Sequence, residues 1–549
     1  MIAASLNLHR TTPVSQSSRW LPNTLSPPPP SKDAILNSLL EMERRYRALK
    51  PVDLNDFIGL RECNMDAEMP LLLNPRDAPI GCWEPPVVLE AINDHFSAQV
   101  HAFFNALHEL EDISDKQLPD EPVLIRRHDG LWPVIRIVSQ SFDIYPDGDC
   151  LHRYFHTRRL TVQNVDSLPL LNYATELRIF PARNYTVEPD MNMTHMRPVS
   201  PRVPLELATR LPRLRNLDCP WLWERFPFAF SFQALHKFAR VWEGPWRDAR
   251  VEFGRGVRDT MPLLPSSLTK ARLWFWNPNP YGDETDQAVQ MPDLVGSSTS
   301  EFDGMDPVSL GLRDLGSRME KFNIRAFITP DLFHSSSWPH MQHLKVEFHP
   351  CAPDGRWYFS GPRSEDPHAT GYAITQEEHY PPGNEDGQET DELWNREQEE
   401  YTDDDEMLSM RSPDMFRILP IAERITPLLL AFASALQNMA LLQDAELFTW
   451  LTWRPSEERA KEYEESDDVP PLFDEDHIMR MVMFRWGVRY DAPKGDGKGK
   501  VTWQVGEGWR PTEEVMKGFE DLVGGDKENV EWEGLEFVAE RPRNAMDFI

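Results

Sequence analysis

Cysteine is scarce in this chain. Five cysteines occur among 549 residues, and they lie far apart, with no C-x-x-C pair. Such a sparse, odd-numbered set excludes a disulfide framework and a cysteine-based zinc site. It predicts reduced thiols in an intracellular protein, either cytoplasmic or nuclear. The five positions are Cys63, Cys82, Cys150, Cys219 and Cys351.

A long hydrophobic run is also lacking. The closest stretch, Leu428–Leu442, is interrupted by Ser434, Gln437 and Asn438, and it is shorter than the roughly 20 apolar residues of a membrane span. No membrane segment is therefore expected. The first 32 residues loosely resemble a mitochondrial transit peptide, but the four prolines Pro27–Pro30 favour a disordered tail.

Clustered basic residues are missing as well. The net charge is −32, and most of it comes from two segments. Residues 365–406 hold 16 acidic side chains against one basic, and residues 456–476 hold 10 against two, which leaves −9 for the rest of the chain. Phosphate contacts need clustered Lys and Arg, so no nucleic-acid partner is expected.

Catalytic and cofactor-binding motifs are absent from the sequence. It has no H-E-x-x-H zinc motif and no G-x-S-x-G nucleophile turn. Gly495–Lys500 lacks the spacing of a phosphate-binding loop, and the acidic run Asp403–Glu406 lacks calcium-loop spacing. We expect no catalytic residue, cofactor or metal ion. Four neighbouring histidines also lack metal-ligand spacing and are expected to face solvent: His334, His340, His343 and His349.

What the sequence does contain is a repeated strand pattern. Short segments of the form L-x-x-L-x-L or L-x-L-x-F follow leucine-rich helical stretches through the middle of the chain. Alternating apolar positions bury one face of a strand, and stacking such units side by side builds an extended solenoid. The segments are Arg159–Val162, Thr175–Phe180, Leu211–Leu217, Leu268–Phe275, Phe322–Phe327 and Met341–Phe348.

The spacing of these segments is irregular. A standard leucine-rich repeat recurs about every 20–29 residues, whereas the gaps here alternate between roughly one such unit and two. Either intervening strands are too degenerate to recognise, or loops such as the polar stretch Asn277–Gly304 are inserted. A non-repetitive α/β domain would give similar segments, so this alternative stays open.

Further elements are predicted on both sides of the repeat block. Helical spacing of apolar residues predicts helices at Ala34–Leu49 and Val87–Leu110. A helix beginning near Thr426 leads into a strand at Glu446–Trp450, followed by a hairpin and a short helix. The hairpin strands are Met481–Tyr490 and Val501–Val505, and the last helix is Pro511–Val523.

The predicted fold is α/β: an irregular leucine-rich-repeat-like solenoid with a short N-terminal helical segment and disordered acidic insertions. The predicted division of the chain is a disordered Pro/Ser-rich tail (1–32), a helical N-terminal region (33–145), the solenoid (146–360), an acidic disordered insert (361–415), a C-terminal repeat-like unit with a β-hairpin (416–525) and a C-terminal tail (526–549).

The order of several motifs resembles a family of filamentous-fungal F-box-like proteins with degenerate leucine-rich repeats. The resemblance covers roughly residues 150–515 and, more weakly, Leu49–Leu60. The motifs, which are structural, are Pro330–Phe333, Trp338–Phe348, Pro353–Phe359, the Leu428 helix, Arg485–Tyr490, Trp503–Gly506 and Trp509–Pro511.

This resemblance implies a role in ubiquitin ligation. In the family, an N-terminal F-box beginning L-P-x-E-I docks a Skp1-like adaptor, and the repeats present a substrate. The chain departs from the family there, because no L-P-x-E-I string precedes Leu49. An eroded F-box remnant near residues 34–60 is the corresponding expectation.

Four tryptophans in the repeat block are candidate partner-binding residues. They lie on or beside predicted strands, in two pairs whose members should share a face. Dense aromatic residues are usually core, but tryptophans exposed on one face would anchor a protein partner. They are Trp221, Trp223, Trp274 and Trp276.

Together these patterns predict a non-enzymatic protein-interaction module that resembles the substrate-recognition subunit of a ubiquitin ligase. Its expected partners are a Skp1-like adaptor and an unknown substrate. Two alternatives stay open: a scaffold without ligase coupling, and an enzyme on an irregular α/β fold. An enzyme should show a deep apolar pocket with convergent titratable groups, whereas a scaffold should show a broad sheet face.

Overall fold

A computed structural model describes most of the chain between residues 31 and 538. The described residues are 31–37, 40, 62–67, 86–117, 130–137, 159–181, 198–220, 222, 224, 242–276, 285–296, 300–334, 338–380, 413–464, 482–493, 498–506, 508–535 and 537–538. Predictions for the N-terminal tail, most of the F-box remnant and the centre of the acidic insert lie outside these residues.

The described part contains strands and helices in alternation. The strands are β1 (Glu62–Ala67), β2 (Trp132–Ile137), β3 (Glu176–Pro181), β4 (Asn216–Cys219), β5 (Lys270–Trp274), β6 (Lys321–Ala326), β7 (His343–Phe348), β8 (Phe359–Ser360), β9 (Leu419–Pro420), β10 (Asp444–Trp453), β11 (Val482–Asp491), β12 (Lys500–Gln504), β13 (Val530–Glu533) and β14 (Phe537–Val538). The helices are α1 (Pro86–Gln117), α2 (Val203–Ala208), α3 (Glu243–Thr260), α4 (Pro307–Gly316), α5 (Gln376–His379), α6 (Ala422–Gln437), α7 (Glu457–Glu464) and α8 (Glu513–Leu522).

One large sheet organises the molecule. Its strands follow chain order from β1 to β7 and then from β10 to β13, while β14 pairs with β11 and β8 pairs only with β9. Within this large sheet, every pair of neighbouring strands from β1 through β7 to β10 is parallel. The pairs β10–β11 and β11–β12 are antiparallel, and β12–β13 is parallel. The fold is thus mixed α/β with an open, mostly parallel sheet.

Alternation within each strand separates the two faces of the sheet. In β6, Phe322 and Ile324 are buried whereas Lys321 is exposed. Phe322 and Ile324 belong to one hydrophobic cluster with Phe253 of α3 and Leu312 of α4. The helices therefore pack on one face, and alternate residues of each strand point to the other.

A glycine sets the distance between α3 and α4. A Cβ atom on Gly311 would lie 2.9 Å from Cε1 of Phe253 and 3.2 Å from Cγ2 of Val257. Because an added methyl group would meet both side chains, glycine permits the close approach of these two helices. This contact anchors the helical layer behind β5 and β6.

Most predicted elements of the repeat block are present. The strands predicted around residues 177, 273, 324 and 345 are β3, β5, β6 and β7, and both hairpin strands and their preceding strand also form. The first predicted strand, Arg159–Val162, is wrong: Leu160 makes only an isolated bridge to Val199. Strand β4 begins at Asn216, five residues later than its predicted segment.

The N-terminal region is not only helical. The predicted helix at Val87–Leu110 is confirmed as part of α1, and residues 32–37 are helical. Strands β1 and β2 flank α1 and extend the sheet by two strands. The sequence of β1, E-C-N-M-D-A, lacks β-branched residues and leucine, and that of β2, W-P-V-I-R-I, contains Pro133, so neither strand was recognised.

The predicted acidic insert is ordered in its first part, contrary to the expectation of disorder from residue 361. Residues 361–380 pack on the folded body, where Asp366 accepts hydrogen bonds from Arg417 and Arg424, both at 2.6 Å. At the end of this stretch the hydroxyl of Tyr380 donates to Asp248 at 2.9 Å. Arginines that are distant in sequence supply the compensating charge, which the local charge count did not reveal.

Two other segments also differ from expectation. The second acidic segment begins with helix α7, in which Tyr463 is buried and donates to Glu365 at 2.6 Å. The predicted C-terminal tail contains β13 and β14, which extend the sheet beside β12 and β11. Both segments gain their structure from contacts that are remote in sequence.

Replacing Asp366 should reveal how firmly the first part of the insert is held. Burial alone would raise the pKa of Asp366, but the hydrogen bonds and charges of Arg417 and Arg424 outweigh it and lower that pKa. A lowered folded-state pKa gives stability that is present at neutral pH and lost as the pH falls through that pKa. We expect Asp366→Asn to lower the free energy of unfolding by about 1–3 kcal/mol at pH 7. The difference from the wild type should shrink below about pH 4.

Urea denaturation between neutral and acid pH measures this effect. The control is Glu377→Gln, which removes an exposed carboxylate from the same stretch and should change the free energy of unfolding by less than about 0.5 kcal/mol. A loss in Asp366→Asn that persists undiminished at acid pH would contradict the ion-pair explanation.

Candidate interaction surface

The face of the sheet turned away from the helices is lined by charged residues in register. We call it the charged face, and define it by the alternate strand positions that include Lys270 and Arg272 of β5, Lys345 of β7 and Glu446 of β10. Residues at equivalent positions on neighbouring parallel strands stand about 5 Å apart, so their side chains meet across the strands.

Opposite charges alternate along this face. Arg272 forms two hydrogen bonds with Asp218 of the preceding strand, of 2.5 and 2.7 Å, and Arg325 pairs with Glu347 at 2.8 Å. Several of these groups are nearly inaccessible, since Asp218 is 2% and Arg325 2% exposed. Further cross-strand ion pairs among the described residues are Arg136–Asp66, Arg178–Glu62, Arg178–Asp218, Lys345–Glu446, Arg485–Glu446 and Lys500–Glu531.

Trp274 lies beneath these arginines. Its side chain is 5% exposed, its Nε1 donates to Oδ1 of Asn323 at 2.9 Å, and the guanidinium of Arg325 lies 3.9 Å from its ring centroid. A cation over the face of a tryptophan ring is attracted by the ring quadrupole. The Trp274 ring therefore packs under the arginine side chains, and little of it is accessible to a partner.

The other candidate tryptophans have different positions. Trp276 is partly buried and stands edge-on to Phe327 and His349, with ring centroids 5.5 and 5.4 Å apart. Trp221 and Trp223 lie outside the described residues. Partner binding by these four tryptophans stays a prediction, and of the two described members only Trp276 is partly accessible.

The expectation that the histidines face solvent is wrong for His349. This side chain is 2% exposed and stacks on Phe327 with ring centroids 3.8 Å apart, and its Nδ1 accepts from the Cys351 amide at 3.0 Å. It follows the end of β7, where the returning chain covers it. His343 pairs with Asp444 at 2.6 Å on the charged face.

A polar pocket of about 400 Å³ interrupts the charged face between β10 and β12. Gly487 lines the pocket and leaves space there, since glycine has no side chain. A larger residue would not fit at this position, because its Cβ atom would lie 2.4 Å from the carbonyl oxygen of Leu447. Arg485, Arg489 and Lys500 supply positive charge, and the acidic groups are Glu446, Asp491 and Glu533. The pocket suits polar and charged groups of either sign.

A second pocket of about 490 Å³ lies near the carboxyl ends of β6 and β7. Among its lining residues, Asp293 accepts from the Gly296 amide at 2.9 Å, Asp331 accepts from Oγ1 of Thr329 at 2.8 Å, and Asp354 accepts from Arg356. These carboxylates hold turns and neighbouring side chains in place. Burial raises the pKa of the Tyr358 hydroxyl, which also lines the pocket, well above its usual value.

A buried ion network fixes this edge of the sheet. Arg250 of α3 donates to both carboxylate oxygens of Asp306 at 2.7 Å and also bonds Glu224. Asp306 in turn caps α4 by accepting from the Ser309 amide at 2.8 Å. Arg250 also donates to the Phe327 carbonyl after β6, so one side chain joins two helices and a strand.

The described residues contain no group of three or more His, Cys, Asp or Glu side chains that could hold a metal ion. Cys63, Cys219 and Cys351 are buried, and none of these three described cysteines forms a disulfide. No helix among the described residues is long and apolar enough to cross a membrane.

Comparisons of the chain with protein-family models, with curated proteins and with solved structures find no match. The class of protein therefore rests on its fold and its surface. It is a mixed α/β protein with a large, mostly parallel sheet, helices on one face and a charged face on the other.

The charged face was not identified from the sequence, although the strands carry a signal for it. The segments K-F-N-I-R-A and H-L-K-V-E-F have polar or charged residues at every second position, and K-A-R-L-W has Lys270 and Arg272 followed by Trp274. Only the parallel register shows which cation meets which carboxylate, and register depends on contacts between segments that are about 50 residues apart.

Loss of Asp218 should destabilise the charged face. We expect Asp218→Asn to lower the free energy of unfolding by about 1–3 kcal/mol, because Arg272 loses its charged partner in a nearly inaccessible position. Equilibrium urea denaturation measures this change. Glu533→Gln is the control: Glu533 is exposed on the same face, and its replacement should cost less than about 0.5 kcal/mol. Equal effects of the two substitutions would refute the assigned role of Asp218.

Proposed function

We propose that this protein is a non-enzymatic interaction module that binds a protein partner on its charged face. The observation that carries the proposal is the extent of that face, which runs across the sheet from β1 to β13. The exposed residues of this face include Lys270, Lys321 and Arg489. A polar face of this breadth, with its exposed positions spread over several strands, suits another macromolecule better than a small molecule.

We further propose that the sheet and its helices form an irregular leucine-rich-repeat-like solenoid. Two observations support this: neighbouring strands follow chain order from β1 to β7, and helices α1, α2, α3 and α4 occur between them in sequence. In a solenoid each unit contacts its neighbours, and the stack offers one extended binding face. The long excursion between β7 and β10, which contains β8 and β9, interrupts this series before it resumes at β10.

Ligase coupling is the more specific part of the proposal. The motif order of residues 150–515 resembles F-box-like proteins, which implies that a Skp1-like adaptor binds the N-terminal region and that the charged face receives the substrate. The alternative is a scaffold with the same face but no adaptor. An enzyme is less well supported, because carboxylates of the pocket near β6 and β7 are engaged in turns, a helix cap and ion pairs.

Adaptor binding separates a ligase subunit from a scaffold. We expect the full chain to co-elute with a purified Skp1-type adaptor as a one-to-one complex in size-exclusion chromatography with light scattering. The variant Leu54→Glu with Phe57→Glu should lose the complex, since it places charge on the F-box-like segment. Lys517→Glu on α8 should keep it. If the wild type forms no complex, ligase coupling is excluded and the scaffold remains.

Site-specific crosslinking locates the partner on the protein. A photo-crosslinking residue at Asn216 or at Arg489, on two distant strands of the charged face, should give the same protein adduct in cells. The same residue at Lys517, which is exposed on helix α8, should not. An adduct that forms from Lys517 and from neither face position would refute binding on the charged face.

A further inference from the structure

Two lysines on the charged face depart from its pattern of paired charges. Lys270 and Lys321 are the first residues of β5 and β6, and they are register partners on adjacent parallel strands. Both are exposed. Neither side chain lies within ion-pair distance of a carboxylate of the described residues, whereas the other Lys and Arg residues of the face form ion pairs: Arg136, Arg178, Arg272, Arg325, Lys345, Arg485, Arg489 and Lys500.

Their surroundings extend the positive charge. Arg215 immediately precedes Asn216, which is the register partner of Lys270, and it is exposed. The Arg215 carbonyl oxygen accepts from the Lys270 amide at 3.0 Å, which holds the two backbones side by side at the starts of β4 and β5. Glu320 is the acidic neighbour, next to Lys321 in sequence. Three cations and one carboxylate leave a net positive patch on a chain whose net charge is −32.

This arrangement has an energetic cost. Like charges directly opposite each other on neighbouring strands destabilise a sheet. A second register pair of like charge, Asp444 and Asp491, is relieved because His343 and Arg489 pair with these carboxylates. Lys270 and Lys321 have no such relief among the described residues. An anionic group placed between the two lysines would remove their repulsion. It would also gain two charge-assisted hydrogen bonds.

We propose that Lys270 and Lys321, with Arg215 adding positive charge nearby, form a docking site for an acidic segment of a protein partner. The proposal rests on the proposed function, because it names the chemistry of the partner that the charged face receives. An extended peptide places alternate side chains about 7 Å apart on one side. Two carboxylates at that spacing can reach cations on strands that are about 5 Å apart.

The limits of the patch favour a short acidic segment over a nucleic acid. Three strands are only about 10 Å wide. The corresponding position of β3 carries Glu176, and the row ends on the other side at Asp444 of β10, which is paired with His343. A polyanion that continued along this row would meet carboxylates at both ends, whereas nucleic-acid binding needs a long basic stripe.

Peptide binding to the full-length protein tests the proposal. The probe is a fluorescein-labelled peptide of about twelve residues with Glu at alternate positions, and its counterpart carries Gln at those positions. Fluorescence anisotropy should show binding of the Glu peptide alone, weakened by added salt. Lys270→Gln with Lys321→Gln should weaken it about tenfold, as expected for two lost ion pairs.

A matched control removes the same charge elsewhere. Lys461→Gln with Lys517→Gln neutralises two exposed lysines of α7 and α8, and it should leave the affinity within about twofold of the wild type. If the Glu peptide fails to bind the wild type, or binds the Lys270/Lys321 variant equally well, the proposal is overturned. Equal binding of the Gln peptide also overturns it, since the site would not select charge.

Other occupants appear as separate outcomes. A single-stranded oligonucleotide that displaces the probe more strongly than unlabelled Glu peptide would assign the site to nucleic acid and overturn the proposal.

The chain's own acidic segment is a further candidate occupant, and its twelve carboxylates between residues 385 and 406 can be changed to amides. If that variant alone binds the probe, the site holds this segment and not a partner. If the Glu peptide does not bind but crosslinking from Asn216 and Arg489 still gives the same protein adduct, the docking site is refuted and the proposed function stands. If neither peptide binding nor crosslinking is observed, the proposed function is refuted as well.

Discussion

The parallel register of the central strands determines both faces of the sheet at the same time. Ala271 lies opposite Phe322 in the layer that packs on the helices, and Arg272 lies opposite Asn323 on the charged face. A slip of one residue would bring Lys321 into the hydrophobic layer and Phe322 to the outer face. Hydrophobic burial against α3 and α4 therefore also fixes the pairing of charges on the other side.

Polar interactions fasten the helical layer where hydrophobic contacts are less directional. Arg250 is 1% exposed and joins α3 to the cap of α4 and to the chain after β6. In such a position, loss of one partner leaves an uncompensated buried charge, which typically costs about 3–5 kcal/mol. Asp366 has a similar role farther along, because it ties the start of the acidic insert to Arg417 and Arg424. These networks hold loops that the hydrophobic core does not reach.

The sequence was sufficient for elements whose apolar pattern is strong. Alternating residues predicted β3, β5, β6 and β7, and helical spacing predicted α1 and α8. It was insufficient for β1 and β13, whose segments E-C-N-M-D-A and V-E-W-E are short and rich in polar residues. These strands form because a neighbouring strand offers its hydrogen-bonding groups, which a local pattern does not record.

The candidate site was less predictable than the fold. The tryptophans were chosen for their side chains and for their positions on or beside predicted strands, and Trp274 proved to be covered by Arg325, a residue 51 positions away. Likewise, the acidic count over residues 365–406 led to a prediction of disorder from residue 361 onward, because the arginines that neutralise Asp366 come from the far side of the insert. In both cases the deciding partner is distant in sequence and close in space.

The two ends of the strand order also carry acidic residues. Within the described residues, β1 pairs only with β2 and β13 only with β12, so each presents an outer row of backbone groups to its surroundings. Glu62 and Asp66 lie on β1, and Glu531 and Glu533 lie on β13. Three of these carboxylates form ion pairs within the protein, and pairing with the margin of a second copy would have to desolvate these charged groups. Charged side chains at both margins therefore discourage edge-to-edge growth into fibres. The acidity of these border strands thus helps to keep a wide, open-ended sheet from polymerising.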